Sequence, residues 1–248
     1  KQGLTFVATA HEESSLGFLD ELEVPVYKIG SGEVANWPFL KAVARRGKPV
    51  ILSTGMYTLD QIGRAVECFA EAGNPDLAVL HCVTRYPTPS AEVNLRAMET
   101  IAAKWNVIVG YSDHTAGYHF PLAAAALGAR IIEKHISLDF DVPNAQDWKV
   151  SCGPDDLPLL VAQIREIEAG LGSGEKQPAQ GEQESLLWAR KSLVAARDIP
   201  AGAVVEASML RAKRPGTGIS PEEAGRVIGR VAKRDIVADE LLSWEQLI

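Results

Sequence analysis

Two histidines in this sequence stand where strands should end. The stretch GYSDHT (110–115) follows the apolar run VIVG, and about twenty residues on a second apolar run, ARIIEKHIS, carries a histidine of its own. If the two runs are neighbouring parallel strands, His114 and His135 stand side by side. Two imidazoles with oxygen donors nearby and no thiolate suit a divalent cation acting as a Lewis acid, manganese or zinc, with positions left open for substrate. Asp147 is a further candidate for that cluster. A lone histidine in such a place is as often a hydrogen-bonded rim residue; the pairing is what argues for a cation.

Other polar groups follow apolar runs in the same way. Lys28, after VPVY and before IGSG, would project an ammonium that can hold a carboxylate or phosphate, with Ser31, Ser112 and backbone amides assisting. Glu33 could act as a general base or accept a hydroxyl. RYPTP holds Tyr86 in a stiff loop that could lie over a ligand. Thr9 and His11 close another run, and His11 and His119 are left without a role. GSGE is too short for a dinucleotide fingerprint, so a nicotinamide cofactor is not expected.

The elements that must position these groups are legible as a repeat. Six short β-rich runs, beginning at Leu4, Val26, Val50, Leu77, Val107 and Arg130, alternate with helical stretches. That pattern predicts a parallel α/β array whose functional side chains gather at the C-terminal ends of the strands. TLDQ offers Thr58 as a helix cap with Gln61 three residues on. From Gly172 the chain turns polar, so the expected organisation is a catalytic domain over 1–171, a linker over 172–187 and a small domain of about 60 residues over 188–248.

Composition narrows the function. The chain has 248 residues, 46% of them hydrophobic, and a net charge of -7, which supports a sizeable core and argues against nucleic acid as a partner. No apolar run approaches the length of a membrane span, and the N-terminal residues lack the form of a secretory signal, so a cytoplasmic protein is expected. Cys68, Cys82 and Cys152 are too far apart for a CxxC site and are expected as buried thiols.

Six ordered motifs, VPVYKIGSGE, GKPVILSTGM, LHCVTRYPTP, GYSDHT, GARIIEKHIS and KRPGTGIS, together resemble the sialic acid synthase family, also called N-acetylneuraminate or nonulosonate synthases, over essentially the whole chain. The resemblance implies a (β/α)8 TIM barrel followed by a small C-terminal SAF (antifreeze-like, β-clip-like) domain. On this reading the chain starts at the third barrel strand, so the first two strands, with the acid and lysine the family carries there, are missing. It further implies condensation of phosphoenolpyruvate with an N-acetylhexosamine such as N-acetylmannosamine, giving a nine-carbon keto acid and free phosphate. By the same likeness Thr9, Lys28, Ser31, Tyr86, Ser112 and His135 surround phosphoenolpyruvate. His114 and His135 hold manganese, with magnesium, cobalt or zinc as alternatives, and Glu33 and Asp147 contact the sugar. Glu33, Lys28 and His135 are the expected catalytic residues. Arg214 resembles the arginine that reaches from the SAF domain into a partner's site in a domain-swapped homodimer. Thr84 stands where many relatives have asparagine, and VPNAQDWKVS replaces the usual Pro-Gly-x-Asp-His stretch; both changes point to a legionaminate-type or less familiar sugar. The competing readings are a metal-dependent barrel hydrolase and a non-catalytic sugar-binding protein.

Overall fold

The strand runs pair in the order of the sequence. The computed structural model describes residues 3–248, and its two compact units, Lys1–Ser173 and Gly174–Ile248, are taken separately. In the first, β1 (Tyr27–Ile29), β2 (Val50–Ser53), β3 (Leu77–Cys82), β4 (Ile108–Asp113) and β5 (Ile132–Lys134) form one parallel sheet in the order β1-β2-β3-β4-β5. Helices α1 (Glu13–Glu21), α2 (Trp37–Ala44), α3 (Leu59–Glu71), α4 (Ala97–Lys104), α5 (His119–Ala126) and α6 (Asp156–Leu171) alternate with them. The runs at the sheet centre are apolar on both faces because helices cover one side and the curl of the sheet closes over the other. Leu52, Val79, Leu40, Val43 and Phe69 are buried in that core.

Local chemistry sets the helix ends and the spacing. Thr58 and Gln61 form a reciprocal capping box at the start of α3, with Gln61 N–H donating to Thr58 Oγ1 at 3.2 Å and Thr58 N–H to Gln61 Oε1 at 2.8 Å. The buried Asn74 side chain donates to the Ala44 and Lys48 carbonyls at 3.2 and 2.9 Å. It thus joins the end of α2 to the approach of β2 and satisfies carbonyls that have no helical partner.

One expectation is corrected. The run beginning at Leu4 is not a strand: it makes a single parallel bridge, Thr9 to Lys28, and Leu4 and Phe6 are exposed. Among the described residues it has no neighbour on its far side, so its backbone pairs only where Lys28 approaches. A partial barrel is the expectation, and five of its six expected strands form among the described residues. The sheet is a curled half-barrel of five strands, extended past β5 by one more parallel bridge, Ile136 to Cys152. Its curl is plain from a cavity of about 440 Å³ lined by residues of both ends, Val7–Thr9 on one side and Ile131–Lys134 on the other.

The second unit has its own core of Leu193, Ile199, Val205, Ile219, Val227, Ile236, Leu242 and Leu247. Helix α7 (Gln183–Ala189) precedes an antiparallel pair, β6 (Ser192–Ala195) with β7 (Leu210–Lys213), and the short α8 (Ala224–Val227) follows. Residues 180–189, part of them in the polar stretch expected as a linker, are therefore helical. Ser192 Oγ donates to the Pro215 carbonyl at 2.7 Å and accepts from Gly218 N–H at 2.8 Å, which fixes the turn that carries Arg214.

Gly110 marks the tightest point between β4 and its neighbours. A Cβ there would run into the Ile131 carbonyl oxygen and lie 2.5 Å from Leu80 Cδ2. Gly110→Ala should therefore cost about 1–3 kcal/mol of stability through overpacking. Gly170→Ala, where no atom lies within 4 Å, should be neutral or mildly stabilising in its exposed helix. Urea unfolding of both variants checks this, and equal midpoints would contradict it.

Candidate active site

The strand ends converge on a cavity of about 490 Å³, lined among others by Thr9, Lys28, Ser31, Tyr86, Ser112, His114 and His135. Alternation along a strand decides which side chains reach it. Lys28 of β1 is nearly buried, and its Nζ donates to Ser53 Oγ of β2 at 2.8 Å and to the Ile29 carbonyl at 3.1 Å. It also pairs with Glu133 Oε2 of β5 at 3.2 Å. Ser112 of β4 donates to Glu133 Oε1 at 2.6 Å. Four strands thus meet in one polar hub. Ser53 and Glu133 lie outside the expected set of site residues, although both stand at strand ends.

The two histidines do come together. Their ring centroids are 5.3 Å apart, and Tyr86 packs against both, at 4.0 Å from His114 and 5.6 Å edge-on from His135. His114 Nδ1 lies 2.7 Å from the Val83 carbonyl, which can only accept, so Nδ1 carries the proton and Nε2 is left as the acceptor for the Tyr86 hydroxyl at 2.8 Å. His135 Nδ1 lies 4.0 Å from Asp147 Oδ2, beyond hydrogen-bond length, and the Asp147 side chain is largely exposed. Among the described residues no group of three or more His, Cys, Asp or Glu side chains is arranged around a cation site. The pair offers two nitrogens and nothing more.

The remaining expected residues are placed as follows. Ser31 Oγ accepts from Gly55 N–H at 2.9 Å, holding the loop after β2 against the cavity. Glu33 is buried and turned toward Asn36 Nδ2 at 2.7 Å and His11 Nδ1 at 3.7 Å. Arg214 belongs to the second unit, where its Nε donates to the Ala189 carbonyl at 3.1 Å and its guanidinium lies 5.7 Å from the Trp188 ring centre. The three cysteines are buried and free, and Cys82 lines the cavity.

Comparison with known proteins places this arrangement. Residues 1–176 match the model of the NeuB family, and residues 190–248 match that of the SAF domain. The chain belongs to the NeuB family. It is 41% identical to the N,N'-diacetyllegionaminic acid synthase of Campylobacter jejuni over 98% of this chain and 73% of that protein. It is 38% identical to the solved N-acetylneuraminic acid (sialic acid) synthetase of Leptospira borgpetersenii, with a TM-score of 0.66 over 72% of this chain and 62% of that one. The DAHP synthase of Thermotoga maritima, at 22% identity and a TM-score of 0.59, shares the fold. Among the described residues no helix is long and apolar enough to cross a membrane.

Burial governs protonation in this NeuB-family site. It holds His114, and outside the cavity His81, below the ordinary histidine range and pushes the Tyr86 hydroxyl up to about 12. His114 is therefore neutral at pH 7 and its Nε2 lone pair is available. An unfolded chain takes up the two histidine protons as the pH falls through about 6.5, while the folded chain resists, so their contribution makes stability fall below that pH. The urea midpoint should drop between pH 7 and about 5.5. His81→Gln, whose amide can still donate to the Val93 carbonyl that His81 Nε2 meets at 2.7 Å, should drop less. Equal drops would contradict the assignment.

Proposed function

We propose that this chain carries the site of a metal-dependent synthase that condenses phosphoenolpyruvate with an N-acetylated hexosamine, giving a nonulosonic, sialic-acid-type keto acid and free phosphate. One observation carries the reading: a single cavity holds a nearly buried ammonium, three serine hydroxyls and a neighbouring pair of imidazoles. The synthase names of its relatives support the same chemistry. N-acetylmannosamine is one candidate acceptor. The departures at Thr84 and over 142–151, with the legionaminic acid synthase relative, favour a diacetylated sugar of that type.

The residues present fit a divalent cation of the manganese kind. His114 Nε2 and His135 would hold it, with oxygens of substrate and water completing the shell, since the protein supplies no third ligand among the described residues. When bound, such a cation makes the sugar aldehyde electrophilic and stabilises the alkoxide that forms.

The protein's own side chains do the rest by positioning. Lys28, Ser31 and Ser112 neutralise and orient the phosphoenolpyruvate anion, with Thr9 at the rim, so that its enol carbon faces the aldehyde carbon. A carbon–carbon bond forms between those atoms, water adds at the carbon bearing the phosphate ester, and the carbon–oxygen bond to phosphate breaks. Glu133, bound to Lys28 and Ser112, keeps both groups aimed before substrate arrives. The Tyr86 hydroxyl shields His114 Nε2 and gives way to ligand. Glu33, with Asp147 on the loop beside His135, would meet the sugar hydroxyls. Arg214, exposed on a turn fixed by Ser192 and seated by Trp188 and Ala189, would complete the site of a second copy in a domain-swapped homodimer.

The test is phosphate release from phosphoenolpyruvate with manganese and a panel of N-acetylhexosamines. His135→Ala and His114→Gln should each lower the rate at least about 100-fold with little loss of folded stability. Full activity in either would overturn the metal assignment. Heat of binding for a sugar with no phosphate released from any mixture would favour a sugar-binding module.

A further inference from the structure

One residue behind each imidazole lies a buried ion pair that the proposed chemistry does not use. Lys134 Nζ donates to Asp113 Oδ2 at 2.6 Å, and the two side chains are 3% and 0% exposed. Asp113 and Lys134 are partners in the β4–β5 register. His114 and His135 are the next residues along each strand. The pair therefore sits at the last rung of the ladder before both imidazoles leave it. Strand alternation puts it on the opposite face from the Ser112–Glu133 bond one rung earlier.

Each polar atom of the pair is committed to the exit from β4. Asp113 Oδ1 accepts from the Tyr111 hydroxyl at 2.9 Å and from Thr115 N–H at 3.0 Å. Lys134 Nζ also donates to the Thr115 carbonyl at 2.7 Å. The buried Thr115 is thus held at both ends of its backbone by the pair, while its own hydroxyl has no partner. The His114 carbonyl accepts from Thr88 N–H at 2.8 Å, and the His135 carbonyl from Cys152 N–H at 2.8 Å. An isolated buried ion pair is matched in stability by a well-packed apolar pair; this one also satisfies the Tyr111 hydroxyl and both backbone groups of Thr115. What the charges add is direction, since they fix the peptide after His114 against the residue before His135.

We propose that the buried Asp113–Lys134 ion pair is the positioning device that sets His114 and His135 at their mutual distance and fixes the His114 ring. Lys134 borders the cavity, but its ammonium is committed to Asp113 and the Thr115 carbonyl, and both residues act through the backbone that carries the imidazoles. The inference rests on the reading of those histidines as the metal-holding pair, but its test does not need turnover.

The experiment uses the full chain, labelled with 15N-histidine and free of metal, near neutral pH. The parent should show His114 as a single Nδ1–H tautomer, as its bond to the Val83 carbonyl requires. In Asp113→Leu/Lys134→Met, an apolar pair of similar volume, the His114 nitrogen signals should move toward the average of the two tautomers. Manganese affinity, read by paramagnetic resonance of the free ion, should fall about 10–100-fold, as when a group orienting a metal-binding histidine is lost. Asp113→Asn keeps an acceptor for Thr115 and Tyr111 but turns an amide donor toward Lys134 where the carboxylate oxygen accepted from it; it should shift the same signals less and safeguards the test if the double variant does not fold. A folded variant of either kind with unchanged His114 signals would overturn the proposal. A parent with an ordered His114 that binds no manganese would strike the metal reading alone, and the ring signals would still decide the positioning role.

Discussion

An ammonium group that is nearly out of water must find acceptors, and the first unit is arranged around how Lys28 finds them. Its partners come from its own strand, from Ser53 on the next, and from Glu133 at the far end of the sheet. Those positions are adjacent only if the sheet curls, so the charge and the curvature require each other. A lysine at this depth left without Glu133 would carry a desolvation penalty of several kcal/mol. The same hub is what an incoming anion would meet. On the proposed reading recognition and architecture share one set of atoms, at a place where a parallel sheet is ordinarily filled with Val, Ile and Leu.

The strands divide labour between their two faces. One face carries the hub of Lys28, Ser53, Ser112 and Glu133; the opposite face of β4 and β5 carries the Asp113–Lys134 pair, wrapped by Tyr111 and Thr115. Functional groups emerge where the ladder stops and the backbone becomes free to aim them. Glycine at 110 allows β4 to press against Ile131 and Leu80, and that close approach is what lets side chains two and three rungs later meet across the strands. Packing at the apolar centre thereby sets distances at the polar end.

The order of strands and helices was legible from the alternation of short apolar runs with amphipathic stretches, and the Thr58–Gln61 cap from its spacing. Strand starts shifted by up to two residues, as hydrogen-bond definitions allow. The run from Leu4 read as a strand because composition reports apolarity and not the presence of a neighbour; with one neighbour only, it makes a bridge. In the site, the meeting of His114 with His135 follows from strand order. Glu133 did not announce itself as the acceptor of Lys28, because the two are far apart in sequence and only the curl unites them. The Asp113–Lys134 pair left a fainter trace: SDH and EKH place opposite charges one residue before each histidine, a signal that gains meaning only once β4 and β5 are known to lie in that register. Asp147 and Arg214 depend on loops and on the second unit, where strand order gives no placement.

On the proposed reading one cavity serves both a cation held by His114 and His135 and an anion held by Lys28. Anomalous diffraction at the manganese edge, from crystals of the chain soaked with manganese and phosphoenolpyruvate, tests it most directly. One peak is expected between the two imidazoles, with the anion's density against Lys28 and Ser112. A peak away from either ring, or an anion bound outside the strand ends, would contradict it.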